Sequence, residues 1–126
     1  MLSIADAVLV EAIDDWVPLR AIDGLVQRTH PRLESGERRA EVIDALRVLV
    51  GLDLVEIGEV SGASFNCWNG PRSSWLERIE QKYGSGAIDT WGFGIWVSNT
   101  PAGDASGEAL LARQGIGTET AAADEV

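Results

Sequence analysis

Few residues in this 126-residue chain have the type and spacing to do chemistry, and each set falls short in a specific way. Cys67, in Asn-Cys-Trp-Asn, is the single cysteine, and a thiol nucleophile needs a base and an orienting group beside it. The single histidine, His30, lies in a distant segment before Pro31. One thiolate and one imidazole make neither a disulfide nor a structural zinc site, so we expect no metal and no catalytic residue. Asp14-Asp15 looks like a carboxylate pair, yet adjacent residues on a helix point about 100° apart and cannot share one reacting centre. Glycines 84, 86, 92 and 94 lack the Gly-Lys-Ser/Thr that follows a phosphate loop, which leaves no cofactor expected. Enzyme chemistry is therefore the least supported class, and the expectation is a non-enzymatic protein.

Charge is the stronger constraint. Twenty acids against ten basic residues give a formal net charge of -10, and such a chain is repelled by phosphate backbones unless its cations gather on one face. All but Lys82 of the basic residues are arginine. With 45% hydrophobic and 24% charged residues, the composition is that of a folded domain rather than a disordered chain. The apolar runs are too short to span a bilayer, and the acid-dotted start MLSIADAVLVEAIDDW does not read as a signal peptide. A cytoplasmic location is expected, with no membrane partner.

The elements follow from periodicity. Ser3 caps a first helix whose stripe is Ile4, Val8, Leu9, Ala12 and Ile13, and Trp16 closes it. Trp16-Val17 is a short extended piece. Pro18 suits the first position of a second helix, with Leu19, Ile22, Leu25 and Val26 buried. Ser35 caps a third helix carrying Val42, Ile43, Leu46, Leu49 and Val50, ended by Gly51. A strand is expected over 52–60 and a turn-rich loop over 61–74. A helix opens at the Ser74/Glu77 capping box. Phe93, Ile95 and Val97 alternate as a strand. Thr100-Pro101 then starts a final helix to about residue 113, weakened by Gly103 and Gly107. Residues 114–126 read as a disordered acidic tail after one domain over 1–113.

Three helices and a pair of strands make the plan of a winged helix-turn-helix. "LRVLVGLDLVEIG" resembles the third helix and first wing strand of that class, and "IWVSNTPAG" its second wing strand and final turn. The fold class expected is therefore α+β, mainly α. It has a winged-helix-like three-helix core, and its two-stranded hairpin is interrupted by a helical insert over 61–91. Glu11, Ala12, Asp14 and Trp16, with "GEVSGASFNCW", "LERIEQKYG" and "IWVSNTPAG", are also similar to a group of small actinobacterial proteins of uncharacterised function.

Two partner classes follow. The outward face of the third helix carries Glu37, Glu41 and Asp44, with Val48 beside them, which suits a basic protein and an inhibitory or toxin-neutralising role. Arg72, Trp75, Arg78 and Tyr83 on the insert are the residue types of interface hot spots and are expected as a second protein-binding patch. The alternative is a DNA-binding regulator, as a homodimer, with Arg38, Arg39 and Arg47 as phosphate contacts.

Overall fold

The computed structural model describes the backbone of residues 2–123 and the side chains of residues 2–113. The acidic tail expected over 114–126 falls outside the fully described residues. The order is α1 (Ile4–Glu11), β1 (Val17–Pro18), α2 (Leu19–Thr29), α3 (Ser35–Gly51), β2 (Val55–Ser61), β3 (Ser64–Cys67), α4 (Arg72–Ser85), α5 (Ile88–Trp91), β4 (Trp96–Asn99) and α6 (Pro101–Ala123). The strands form one antiparallel sheet in the order β1-β4-β2-β3. The chain is thus α+β and mainly α. Among the described residues, no helix is long and apolar enough to cross a membrane.

Helix starts follow local hydrogen bonding. Ser3 caps α1 as expected, its Oγ accepting from the Asp6 N–H at 3.1 Å. Thr100 caps α6 the same way, accepting from the Gly103 N–H at 3.1 Å, with Pro101 first in the helix. Three starts shift. Pro18 precedes α2 rather than opening it, because it lies in β1 opposite Trp96. α3 is capped by Glu34, not Ser35. Glu34 and Glu37 close a reciprocal box, with the Glu34 N–H donating to Glu37 Oε1 at 3.0 Å. α4 begins at Arg72 behind Pro71, and the Ser74 hydroxyl donates back to the Pro71 carbonyl at 2.6 Å instead of capping.

The sheet adds a strand to the expected pair. β2 and β4 pair as a hairpin would, Ile57 opposite Val97. Between them the chain first turns at Gly62, with φ 60°, and runs back along β2 as β3, where a loop was expected. A two-residue turn with a glycine at positive φ suits a tight hairpin. β3 consists of Ser-Phe-Asn-Cys, residues that read locally as a loop, and its pairing to β2 is what orders it. Phe93, expected inside the last strand, precedes it and is exposed, because Gly92 and Gly94 donate back to Ile88 and Trp91 and extend the α5 turn.

One core unites these elements. Val8, Leu19, Ile22, Val26, Leu46, Leu49, Val55, Ile57 and Val97 are sealed from solvent, and so is Ile79 from the insert. The insert therefore belongs to the core rather than hanging from it. Trp16 lies beyond the end of α1, half-buried against Phe65 at 6.1 Å.

The two glycines of α6 have a packing role. A Cβ at Gly103 would run into the Leu54 carbonyl, and one at Gly107 would lie 2.7 Å from the Leu9 carbonyl. They let α6 seat directly on α1 and on the start of β2. Helix propensity alone says that Gly103→Ala stabilises by about 1 kcal/mol. We expect the opposite, a loss of about 1–3 kcal/mol in urea unfolding, because the backbone must move apart. A more stable variant would contradict the packing described.

Candidate protein-binding face

α3 is the hub of the molecule, packed against α1, α2, α4 and β2. It buries Val42, Ile43, Ala45, Leu46, Leu49 and Val50, and that inward stripe fixes what faces out. Glu37, Glu41, Asp44, Val48 and Leu52 are spaced four, three, four and four residues apart, which places them along one ridge. Val48 is 51% exposed and Leu52 64%, so the ridge is acidic at its start and apolar at its end. Glu37 also favours its own helix terminus, where the dipole is positive. His30 Nε2 stands 3.9 Å from Glu41 at the ridge's edge. The sequence pattern places Leu52 in the strand expected over 52–60. It belongs here because α3 runs through Gly51 and Leu52 is its cap, one turn beyond Val48.

The expected phosphate contacts are all engaged within the chain. Arg38 Nε lies 3.4 Å from Asp23 Oδ1, and its Nη1 donates to the Leu33 carbonyl at 3.3 Å. Asp23 is the buried charged residue of the core, 3% exposed, so Arg38 answers a need inside the fold. Arg47 pairs with Asp44 at 2.9 Å and reaches Glu80 on α4 at 3.7 Å. Arg39 stacks over the Tyr83 ring at 5.3 Å. These three side chains do not line up as a positive stripe on the outward ridge.

Of the expected second patch Trp75 turns inward, while Arg78 stays at the surface with its side chain 51% accessible. Trp75 is core, 3% exposed, and its Nε1 donates to the Asn69 carbonyl at 3.3 Å. Arg72 ties α4 to the start of β2. It donates to the Val55 carbonyl at 3.0 Å, pairs with Asp53 at 2.7 Å and covers the Trp75 ring at 4.9 Å. Arg78 lies 3.8 Å over the buried Trp68 ring, whose Nε1 donates to Glu59. Tyr83 is half-buried, edge-on to Trp91 at 4.8 Å. The physical reason is area: a 14-residue helix that joins a core buries its aromatic side chain, and the arginines cover the faces of the rings.

The remaining reactive candidates stay apart. Cys67 is exposed on β3, and desolvation, reinforced by Glu56, pushes its thiol pKa up, away from a reactive thiolate. His30 stands at the α3 ridge instead. Among the described residues, no three of His, Cys, Asp and Glu are placed to hold a metal ion.

The pairing of Arg38 yields a direct test. Arg38→Met would strand the Asp23 carboxylate without its α3 partner, and we expect a loss of about 2–4 kcal/mol in unfolding free energy. Removing a solvated phosphate-binding arginine would instead leave stability within about 0.5 kcal/mol.

No family model matches the chain, and neither a curated protein nor a solved structure matches it.

Proposed function

We propose that this chain is a non-enzymatic, cytoplasmic protein-binding module on a winged-helix-like scaffold, and that the α3 ridge docks a protein whose surface sets basic residues beside an apolar patch. The carrying observation is the ridge itself: Glu37, Glu41 and Asp44 run continuously into exposed Val48 and Leu52. An acidic approach surface raises the rate of encounter with a basic partner, and an apolar end gives the contact something to bury. A net charge of -10 acts in the same direction over longer range. An inhibitory or toxin-neutralising role suits such a surface, because it covers a basic site on another protein. The β2–β4 pairing and the order of the helices support the scaffold reading. DNA binding has less support. Its expected contacts are paired or stacked within the chain, and the outward helix face repels phosphate.

The test compares capture of partners from the native host by the wild type, by Glu37→Lys/Glu41→Lys/Asp44→Lys and by Val48→Arg, after nuclease treatment. We expect one stoichiometric partner on the wild type, and at least about tenfold weaker retention by both variants. Reversal of Glu37 also removes a cap worth about 1 kcal/mol, so a thermal melt accompanies each variant. A partner held equally by folded versions of all three would overturn the ridge as the contact.

A further inference from the structure

The two faces of the sheet differ. Val55, Ile57 and Val97 turn toward the helices and are sealed in the core. Alternate residues turn the other way. On β2 these are Glu56, Gly58 and Val60, and opposite them lie Ser98 and Trp96 on β4 and Phe65 on β3. Trp96 also lies opposite Pro18 of β1. Trp16, two residues before Pro18, comes to the same face, its ring 6.1 Å from that of Phe65. Trp16, Phe65 and Trp96 are all half-buried, around a strand position, Gly58, that has no side chain.

Trp16 differs from the other tryptophans. The indole N–H groups of Trp68, Trp75, Trp91 and Trp96 each donate within the chain. That of Trp16 has no acceptor among the described residues, and it is open to solvent rather than sealed. Beside it a hollow of about 400 Å³ is lined by Asp14, Asp15 and Asp104, with no lysine or arginine in its wall. None of these three carboxylates, nor that of Glu56, enters an ion pair among the described residues. We propose that this face docks an extended, proline-containing segment of a partner protein, with an arginine or lysine flanking the proline. Proline rings pack on aromatic side chains, and a polyproline II helix is already formed before it docks, so little order is lost. Such a helix has no internal hydrogen bonds, which leaves a carbonyl free to accept from the Trp16 N–H. The flanking cation enters the acidic hollow, and that charge complementarity fixes the direction of the segment. The face lies on the side of the sheet away from α3 and is independent of the ridge.

The experiment titrates the full chain with the synthetic peptide Arg-Pro-Pro-Arg-Pro-Pro-Arg, followed by NMR of the indole N–H groups. Two control peptides replace every proline by glycine, or every arginine by glutamate. We expect saturable shifts of the Trp16 and Trp96 N–H groups, none at the core residues Trp68 and Trp75, and binding of either control at least about tenfold weaker. Trp16→Phe keeps the ring but loses the N–H, and weakens binding about threefold to fivefold. Asp14→Asn/Asp15→Asn weakens it about fivefold and flattens its salt dependence. Both aspartates are exposed, so that variant melts as the wild type does. No saturation at millimolar peptide, equal affinity for the glycine control, or unchanged affinity in both variants would overturn the proposal. So would shifts centred on Val48 and Leu52, which would give the segment to the α3 ridge. Shifts of Trp16 by a neutral oligosaccharide such as cellohexaose, and not by the peptide, would overturn it in favour of a sugar.

Discussion

The carboxylate of Asp23 is the interaction on which the rest turns. It is 3% exposed, on the inner side of α2, and a buried charge is tolerated only with partners. Arg20 reaches it from the same helix and Arg38 from α3, so the pair fixes the angle at which α3 leaves the turn after α2. Arg20 extends the tie to Asp89, which anchors α5. This cluster takes two of the chain's ten basic residues. Arg47, Arg72 and Arg78 are likewise drawn to carboxylates within the molecule. In a chain with twice as many acids as bases, pairing each of these arginines with a carboxylate leaves the unpaired charges predominantly acidic.

The insert works through the same logic of burial. Ile79, Leu76 and Trp75 on α4 complete the core, and α4 takes one flank of α3. α1, α2 and β2 take the others, and the side of α3 that carries Glu37, Asp44, Arg47 and Val48 is left to solvent. At the far side α6 closes on α1 and on the turn after α3, where Asp53 adopts φ 62° and its carbonyl accepts from the Thr100 hydroxyl at 2.8 Å. Side chains of zero or small volume at Gly103 and Gly107 make that closure feasible. The ridge is thus held by packing on several sides.

Much of this was legible in the sequence, and the failures have physical causes. Long stripes such as Val42, Leu46 and Leu49 declare a helix and its inward face, and the acids opposite follow at once. The Thr100-Pro101 cap needs only neighbouring residues, so it was readable too. β3 was not, because Ser-Phe-Asn-Cys has no strand signal of its own and is ordered by its partner β2. The fate of the insert's aromatics was not either. Whether Trp75 or Tyr83 faces water depends on which helix α4 lands on, a long-range fact with no local mark. An i, i+4 continuation from Val48 to Leu52 was the one missed clue to the apolar end of the ridge.

We propose that pairing of the arginines within the chain and the acidic ridge of α3 leave this molecule a surface for proteins rather than for nucleic acid. Fluorescence anisotropy of labelled fragments of the host's genomic DNA, titrated with the full chain at low salt, tests that claim directly. We expect no binding, even where counterion release favours it most. Binding that falls steeply as salt rises would contradict it, and would mean that arginines outside the internal pairs gather on a face strong enough to outweigh the net charge.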